Sequence, residues 1–439
     1  MKAKILVECH HLTSRAGTGL ATYARNLARS AALAGHPTAS LFGIPTPLPS
    51  GPAPLRQIHL FDTPPTTGWS PRKAWLEACN LVTADRNGVE AEIVMPDPIV
   101  VDPGTFLAEP SLAEAHVVVE LAQRARAHFR RYGRLLPVRT DGVDLLHASH
   151  VIPLRLAGGP TLTTIHDLIP LRLPYSIRDD KPAFHTLIRS LLDQTDHIVT
   201  VSEHSRRDIV EFFNLPEDRI TNTGQAVAIE PEFLTRTDDE IAFELEAVFG
   251  LPWKEYWLFA GAIEPKKNVR GLLDGYLASG SSRPLILAGG LGWQYGDDLR
   301  RIHDRRFKDL HLTDGKIRRE RRVRHLKYVP RGHLLALMRG ARGLIFPSFY
   351  EGFGLPVLEA MMLGTPVITS NTSSLPEIAG EAGLMVDPYD PGSIGAAIRR
   401  LEHDEGLRTE LGWKGIAQAK KFSPARYAER LSALYARFA

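Results

Sequence analysis

Cysteine is nearly absent: Cys9 and Cys79 are the two in 439 residues. Two cysteines cannot make a disulfide framework or a cysteine-based zinc cluster, so a reducing compartment is the simpler expectation. No uncharged apolar run approaches the roughly 18 residues that would span a bilayer. After Met1-Lys2-Ala3-Lys4 only Ile5-Leu6-Val7 precede Glu8, too short a run for a signal-peptide core. An excess of one charge is also lacking. Lys+Arg 53 against Asp+Glu 50 gives a formal net charge of +3, too little for wholesale nucleic-acid binding. These features together predict a cytoplasmic protein with no nucleic-acid partner and at most peripheral membrane contact.

Two further absences bear on chemistry. No Asp-x-Asp stands at a strand end, so no metal site is expected and a divalent ion is not required. The dinucleotide fingerprint is incomplete, because the spacing that begins with Gly17-Thr18-Gly19 puts Thr22 where the third glycine belongs. A dinucleotide-binding oxidoreductase is therefore a weak rival.

What is present is ordinary globular material, 44% hydrophobic and 23% charged, in a chain long enough for two cored domains. Basic character is local: residues 300–331 hold 13 Lys/Arg against 4 Asp/Glu, either a solvated face or a contact for an anionic membrane. Short apolar runs at 3–9, 143–149, 161–167 and 197–202 alternate with helical patterns, and a second set follows at 256–262, 283–290, 343–348, 365–370 and 383–388. Such alternation predicts parallel sheets covered by helices, in two α/β halves joined near 230–250. Residues 43–72, rich in Pro, Thr and Gly, read as a long loop or insertion. Ligands of such folds bind at the carboxyl ends of the strands.

At one such end the sequence runs GLIFPSFYEGFGLPVLE. The strand is expected to stop at Ser348, and Leu355-Pro356 to open a helix with proline early, where no backbone donor is needed. Gly352 and Gly354 let the backbone approach a ligand, and the free N–H groups before Val357 can serve an anion or hydroxyls. Glu351 and Glu359 can each accept from a pair of adjacent hydroxyls, as on a sugar or a ribose. Either glutamate alone reads as a solvated turn residue or a helix-dipole partner; their joint placement around the glycines favours a ligand.

Glu351 and Glu359, set in FYEGFGLPVLEAMMLGTPVITSNTSSLPEI, together with RAGTGLATYARNL, TTIHDLIPL, VSEHSRRDI and GAIEPKKN, resemble the retaining glycosyltransferases of family 4. The resemblance runs through most of the chain. It implies the GT-B fold, two Rossmann-like doubly wound domains facing a cleft: residues 1–240 on the acceptor side, 241–422 binding the nucleotide sugar, and 423–439 as a helix packing back on the first domain. By the same resemblance Glu359 would hold the ribose and Glu351 the transferred sugar. The backbone of Gly352, Phe353, Gly354 and Leu355 would serve the sugar and distal phosphate, and Lys267 the diphosphate. The family often carries an arginine where Ala262 stands, and Lys266 is the candidate replacement. Gly17 and Gly19 open the first helix toward the donor. His166 and Asp167 lie at a strand end, the histidine able to donate to the transferred sugar or to stabilise developing charge. Tyr328, in a Tyr-Val-Pro that ends a short strand, resembles the base-facing edge, and Glu377 is expected to cap or anchor a loop near the donor.

The implied reaction moves a hexose, mannose first, from a nucleotide diphosphate sugar such as GDP-mannose to a glycan or lipid-linked acceptor in surface polysaccharide synthesis. No cofactor beyond that co-substrate is expected. UDP- or dTDP-sugar donors stay open, and so do a sugar-nucleotide epimerase of the same architecture and a non-catalytic binding module.

Overall fold

The computed structural model describes residues 2–13, 19–62, 87–95, 110–112, 114–176, 180–313 and 316–438. The N-terminal half is built on an eight-stranded sheet. From edge to edge its strands are Ile220–Asn222, His197–Thr200, Thr161–Thr164, Leu145–Ala148, Ile5–Glu8, Thr38–Ile44, Ala115–Val119 and Glu92–Val94. All neighbours pair in parallel except the last, which runs antiparallel to Ala115–Val119. A small parallel sheet of Val89–Glu90, Leu136–Arg139 and Leu154–Leu156 lies beside it.

The C-terminal half carries six parallel strands in the order Val323–Leu326, Leu285–Ala288, Trp257–Ala260, Gly343–Phe346, Val367–Ser370 and Gly383–Val386. Its four central strands are buried along their whole length. That burial on both faces is why they read as continuous apolar runs instead of alternating ones. The basic stretch forms an antiparallel hairpin, Lys308–Thr313 with Lys316–Arg321, just before the edge strand.

Two elements tie the halves together. Helix Asp238–Phe249, opened by a capping box of Thr237 and Glu240, runs across the expected boundary at 240 and packs on helix Arg331–Gly340. Its Glu244 holds Arg236 and His333, each at 2.6 Å. After residue 422 the chain returns to the N-terminal half. Helix Pro424–Tyr435 lies on helix Gly19–Leu33, and Tyr435 meets His147 Nδ1 at 2.8 Å.

One expectation is corrected in its loop form, while an insertion stays open. Within 43–72 the structure has the end of strand Thr38–Ile44 and a helix, Ala53–Asp62, in place of a continuous loop. Pro54 is the second residue of that helix, where its missing N–H has no intrahelical partner to lose. Residues 63–72 lie outside the described residues, as do Gly17 and Cys79.

Candidate active site

Strand Trp257–Ala260 leads into a tight turn that carries Lys266 and Lys267. Asn268, with φ 54°, caps helix Val269–Ser279 through the Gly271 N–H at 3.1 Å. Its amide also donates to the carbonyls of Pro347 and Pro388, at 3.1 and 2.7 Å, which pins the turn to two other strand ends. So placed, Lys267 Nζ lies 2.6 Å from Glu351 Oε1 and over the Phe346 ring. Burial alone would raise the Glu351 carboxyl, but Lys267 and Lys266 beside it hold it below its usual range. Burial would likewise lower the Lys266 ammonium, and Glu351, Asp167 and Glu264 outweigh it and raise it.

Beyond Glu351 the chain must pass under the other half. A β-carbon on Gly352 would stand 2.7 Å from the His166 carbonyl oxygen and 2.9 Å from Asp167 Oδ2, so only glycine fits. Gly354 adopts φ 110° as it enters helix Leu355–Met362, a conformation that disfavours any side chain. Among the described residues no protein acceptor takes the backbone N–H groups of Gly352, Phe353 or Gly354. Phe353's ring is buried edge-on against Phe422, which leaves its backbone for a ligand. Leu355 approaches Gly19, so the starts of two helices, one from each half, face each other across the cleft.

One turn into that helix, buried Glu359 accepts from Arg331 Nη1 at 2.6 Å. Burial raises its carboxyl, against the pull of Arg331. Asp167 is raised by burial too, with Lys266 opposing; its Oδ1 accepts from the Ile169 N–H. His166 stands edge-on to Tyr23 at 4.6 Å, and its Nε2 lies 2.9 Å from the Ser149 carbonyl. A carbonyl only accepts, so Nε2 carries the proton and Nδ1 of the neutral ring is an acceptor. Burial lowers His166 to about 4, which keeps it neutral at physiological pH.

Two protein-family models match the stretches of chain that carry these residues. "Glycosyltransferase Family 4" matches residues 17–222, and "Glycosyl transferases group 1" matches residues 247–418. The chain belongs to glycosyltransferase family 4. It is similar to the O-antigen chain mannosyltransferase B of Escherichia coli, 39% identical over 267 residues, which are 60% of this chain and 66% of that protein. It is 30% identical over 275 residues to the serotype-specific mannosyltransferase WbdA of Escherichia coli, matching 61% of this chain and 32% of that protein. The match thus spans about two thirds of the first relative and about one third of the second. The Anabaena protein Alr3699/HepE, solved with UDP and glucose, superposes with a TM-score of 0.65 at 13% identity, covering 99% of this chain and 100% of that one. That likeness shows the shared GT-B fold.

In this family 4 member the expected residues that are described gather at the strand ends, with two differences; Gly17 lies outside the described residues. His166 Nε2 is already taken by the Ser149 carbonyl, which leaves Nδ1 of the neutral ring as an acceptor. Tyr328 is 81% exposed and lies beyond strand Val323–Leu326, which stops at Leu326.

Other residues escaped sequence reasoning. Arg331 directly follows Tyr328-Val329-Pro330, but nothing local marks it as Glu359's partner. Glu377, by contrast, was expected to cap or anchor a loop; it accepts from the backbone N–H of Glu203, at 3.0 and 2.8 Å to its two oxygens, and from His204 at 3.3 Å, a partner helix that the sequence did not reveal. A C-terminal-half carboxylate thereby caps helix Glu203–Phe213 of the N-terminal half. Nearby, Tyr350 donates to Asp208, which also pairs with Arg172, and Trp293 Nε1 donates to the Ser176 carbonyl at 2.7 Å. Among the described residues no group of three or more His, Cys, Asp or Glu could hold a metal ion.

Proposed function

We propose that this chain is a retaining, metal-independent glycosyltransferase. It moves a hexose, mannose first, from a nucleotide diphosphate sugar to a hydroxyl of a glycan or lipid-linked acceptor in polysaccharide biosynthesis. GDP-mannose is the first donor to test, in keeping with the mannosyltransferase names of its relatives. The observation that carries the reading is the Lys267–Glu351 pair at the edge of the glycine turn, with Glu359 one helical turn away. Glu351 accepts hydroxyls of the transferred sugar and Glu359 those of the ribose. The N–H groups of Gly352, Phe353 and Gly354 serve the sugar and distal phosphate.

As the bond to the anomeric carbon breaks, negative charge grows on the departing diphosphate. Lys266 and Lys267, held by the Asn268 turn, meet that charge in a partly dry cleft, where preformed electrostatics are most effective. The departing phosphate oxygen takes the acceptor's proton on the face it leaves, which retains configuration. His166 Nδ1 accepts from a sugar hydroxyl and so orients the ring. The protein's share is positioning and charge. The basic segment 300–331 suits peripheral contact with an anionic membrane presenting a lipid-linked acceptor; pelleting with anionic but not neutral vesicles tests that part.

The experiment is turnover of GDP-mannose with and without an acceptor. Release of GDP that depends on acceptor supports transfer, whereas donor consumption without acceptor would point to an epimerase or hydrolase. Glu351→Ala and His166→Ala should each lower kcat by roughly 10² to 10³ while leaving GDP affinity nearly intact. Wild-type turnover in both would remove this site from the reaction.

A further inference from the structure

A second polar cluster lies at the strand ends of the N-terminal half. Strand Ile5–Glu8 finishes on a fully buried carboxylate. Glu8 Oε2 accepts from Ser149 Oγ at 2.9 Å and lies 2.7 Å from His150 Nδ1, while Oε1 accepts from the His10 N–H at 2.6 Å. The Ser149 carbonyl is the acceptor that fixes His166. On its other side, His150 meets His11 edge-on, with ring centroids 4.3 Å apart. A row of imidazoles, His11, His150 and His166, thus borders the proposed transfer site and is tied at its base to Glu8.

Hydrogen-bond roles follow from those contacts. A carboxylate only accepts, so His150 Nδ1 carries a proton and Nε2 is left for a partner outside the cluster. Burial would raise Glu8, but His150, His10 and Ser149 hold it down to about 2. Burial lowers His11 to about 4, with His150, His10 and Arg126 acting in the same direction and Glu8 against; His10 is lowered by the same kinds of neighbour. At physiological pH the cluster therefore holds one buried anion beside the neutral rings of His10, His11 and His166. A phosphate is better served by cations, whereas a sugar hydroxyl, both donor and acceptor, suits neutral imidazoles.

Resting on the transferase reading above, we propose that His11 and His150 bind an uncharged sugar ring of the acceptor through its hydroxyls, with Glu8 as the residue that positions His150. This assigns acceptor recognition to the Glu8–His150–His11 array.

The test uses methyl α-D-mannopyranoside and mannose 6-phosphate as probe acceptors with GDP-mannose as donor. His150→Phe, His11→Phe and Glu8→Gln should each raise KM for the methyl mannoside about tenfold or more, the scale of one lost hydrogen bond of about 1.4 kcal/mol. The dissociation constant of GDP, read by calorimetry, should stay within about twofold on the same scale. His150→Gln, which can still donate to Glu8, should recover part of the loss. If the buried Glu8 variant fails to fold, the two histidine variants decide. An unchanged acceptor KM in both, or a preference for mannose 6-phosphate, overturns the proposal. Saturation-transfer NMR with methyl α-D-mannopyranoside reads the site without turnover. Contact that the wild type shows and His150→Phe loses supports the site even if GDP-mannose proves the wrong donor. No contact in the wild type overturns it.

Discussion

Replacing Lys267 by methionine removes the ammonium 2.6 Å from Glu351 while keeping most of the stem that packs over Phe346. The two side chains are only 13% and 10% exposed, so the pair belongs with buried ion pairs. Breaking such a pair from one side costs about 3 to 5 kcal/mol. Lys266 remains to act on Glu351, which puts the expectation at the low end, about 3 kcal/mol. For a domain of about 200 residues that is a fall in Tm of roughly 6 to 12 °C at neutral pH. The pH dependence gives the sharper test. In the parent protein the Glu351 carboxyl lies below the usual glutamate range, so its stabilisation is present above the unfolded carboxyl pKa and is lost as pH falls through the folded value. In Lys267→Met burial prevails and lifts the carboxyl instead, so the penalty is greatest near neutrality and fades as the pH falls and the group takes up a proton. Scanning calorimetry of both proteins from about pH 7 to about pH 4.5, the latter near the free Glu value, should show the gap in Tm closing. Adding Glu351→Gln should restore part of the loss at neutral pH. A gap that does not change with pH would refute the electrostatic account of this pair.

Glu359→Ala should weaken GDP binding by about 1.5 to 3 kcal/mol, the scale of hydrogen bonds to a charged group, and an unchanged dissociation constant in calorimetry would exclude the ribose role. Arg331→Met leaves Glu359, already raised by burial, without its cation; nucleotide affinity should then begin to fall at a higher pH than in the parent as the solution is acidified, and identical pH profiles for the two proteins would count against it. Glu377→Ala should speed amide exchange at Glu203 and His204 by about 10- to 100-fold, because their acceptor in the other half is gone; unchanged exchange would mean that the contact does not hold the halves. Transfer should persist in EDTA, and complete loss restored by magnesium or manganese would reveal a metal requirement.

Features set by neighbours in sequence were legible, and those set by distant neighbours were not. The C-terminal strands lie within a few residues of their apolar runs because burial on both faces leaves an unmistakable pattern. The run at 161–167 overshoots, since Ile165 is buried like its neighbours although the strand ends at Thr164. Helix Ala53–Asp62 was hidden by the prolines before it and within its first turn, which read as loop although the first turn tolerates them. The glycine turn and the lysine turn could be read because their geometry is local. Arg331 meets Glu359 from 28 residues away and Glu8 meets His150 from 142 away, distances over which only packing decides the partner. Glu8 did leave one sign, a lone charge closing the first buried strand. The donor role read for His166 failed for the same reason, because the Ser149 carbonyl that claims its Nε2 is 17 residues distant.

The proton NMR spectrum of the first product formed from GDP-α-mannose and methyl α-D-mannopyranoside tests the central claim most directly. The account predicts an α-linked mannosyl product appearing one for one with GDP, and its disappearance in Glu351→Ala. A β-linked product, or GDP released with no new glycosidic signal, would contradict it.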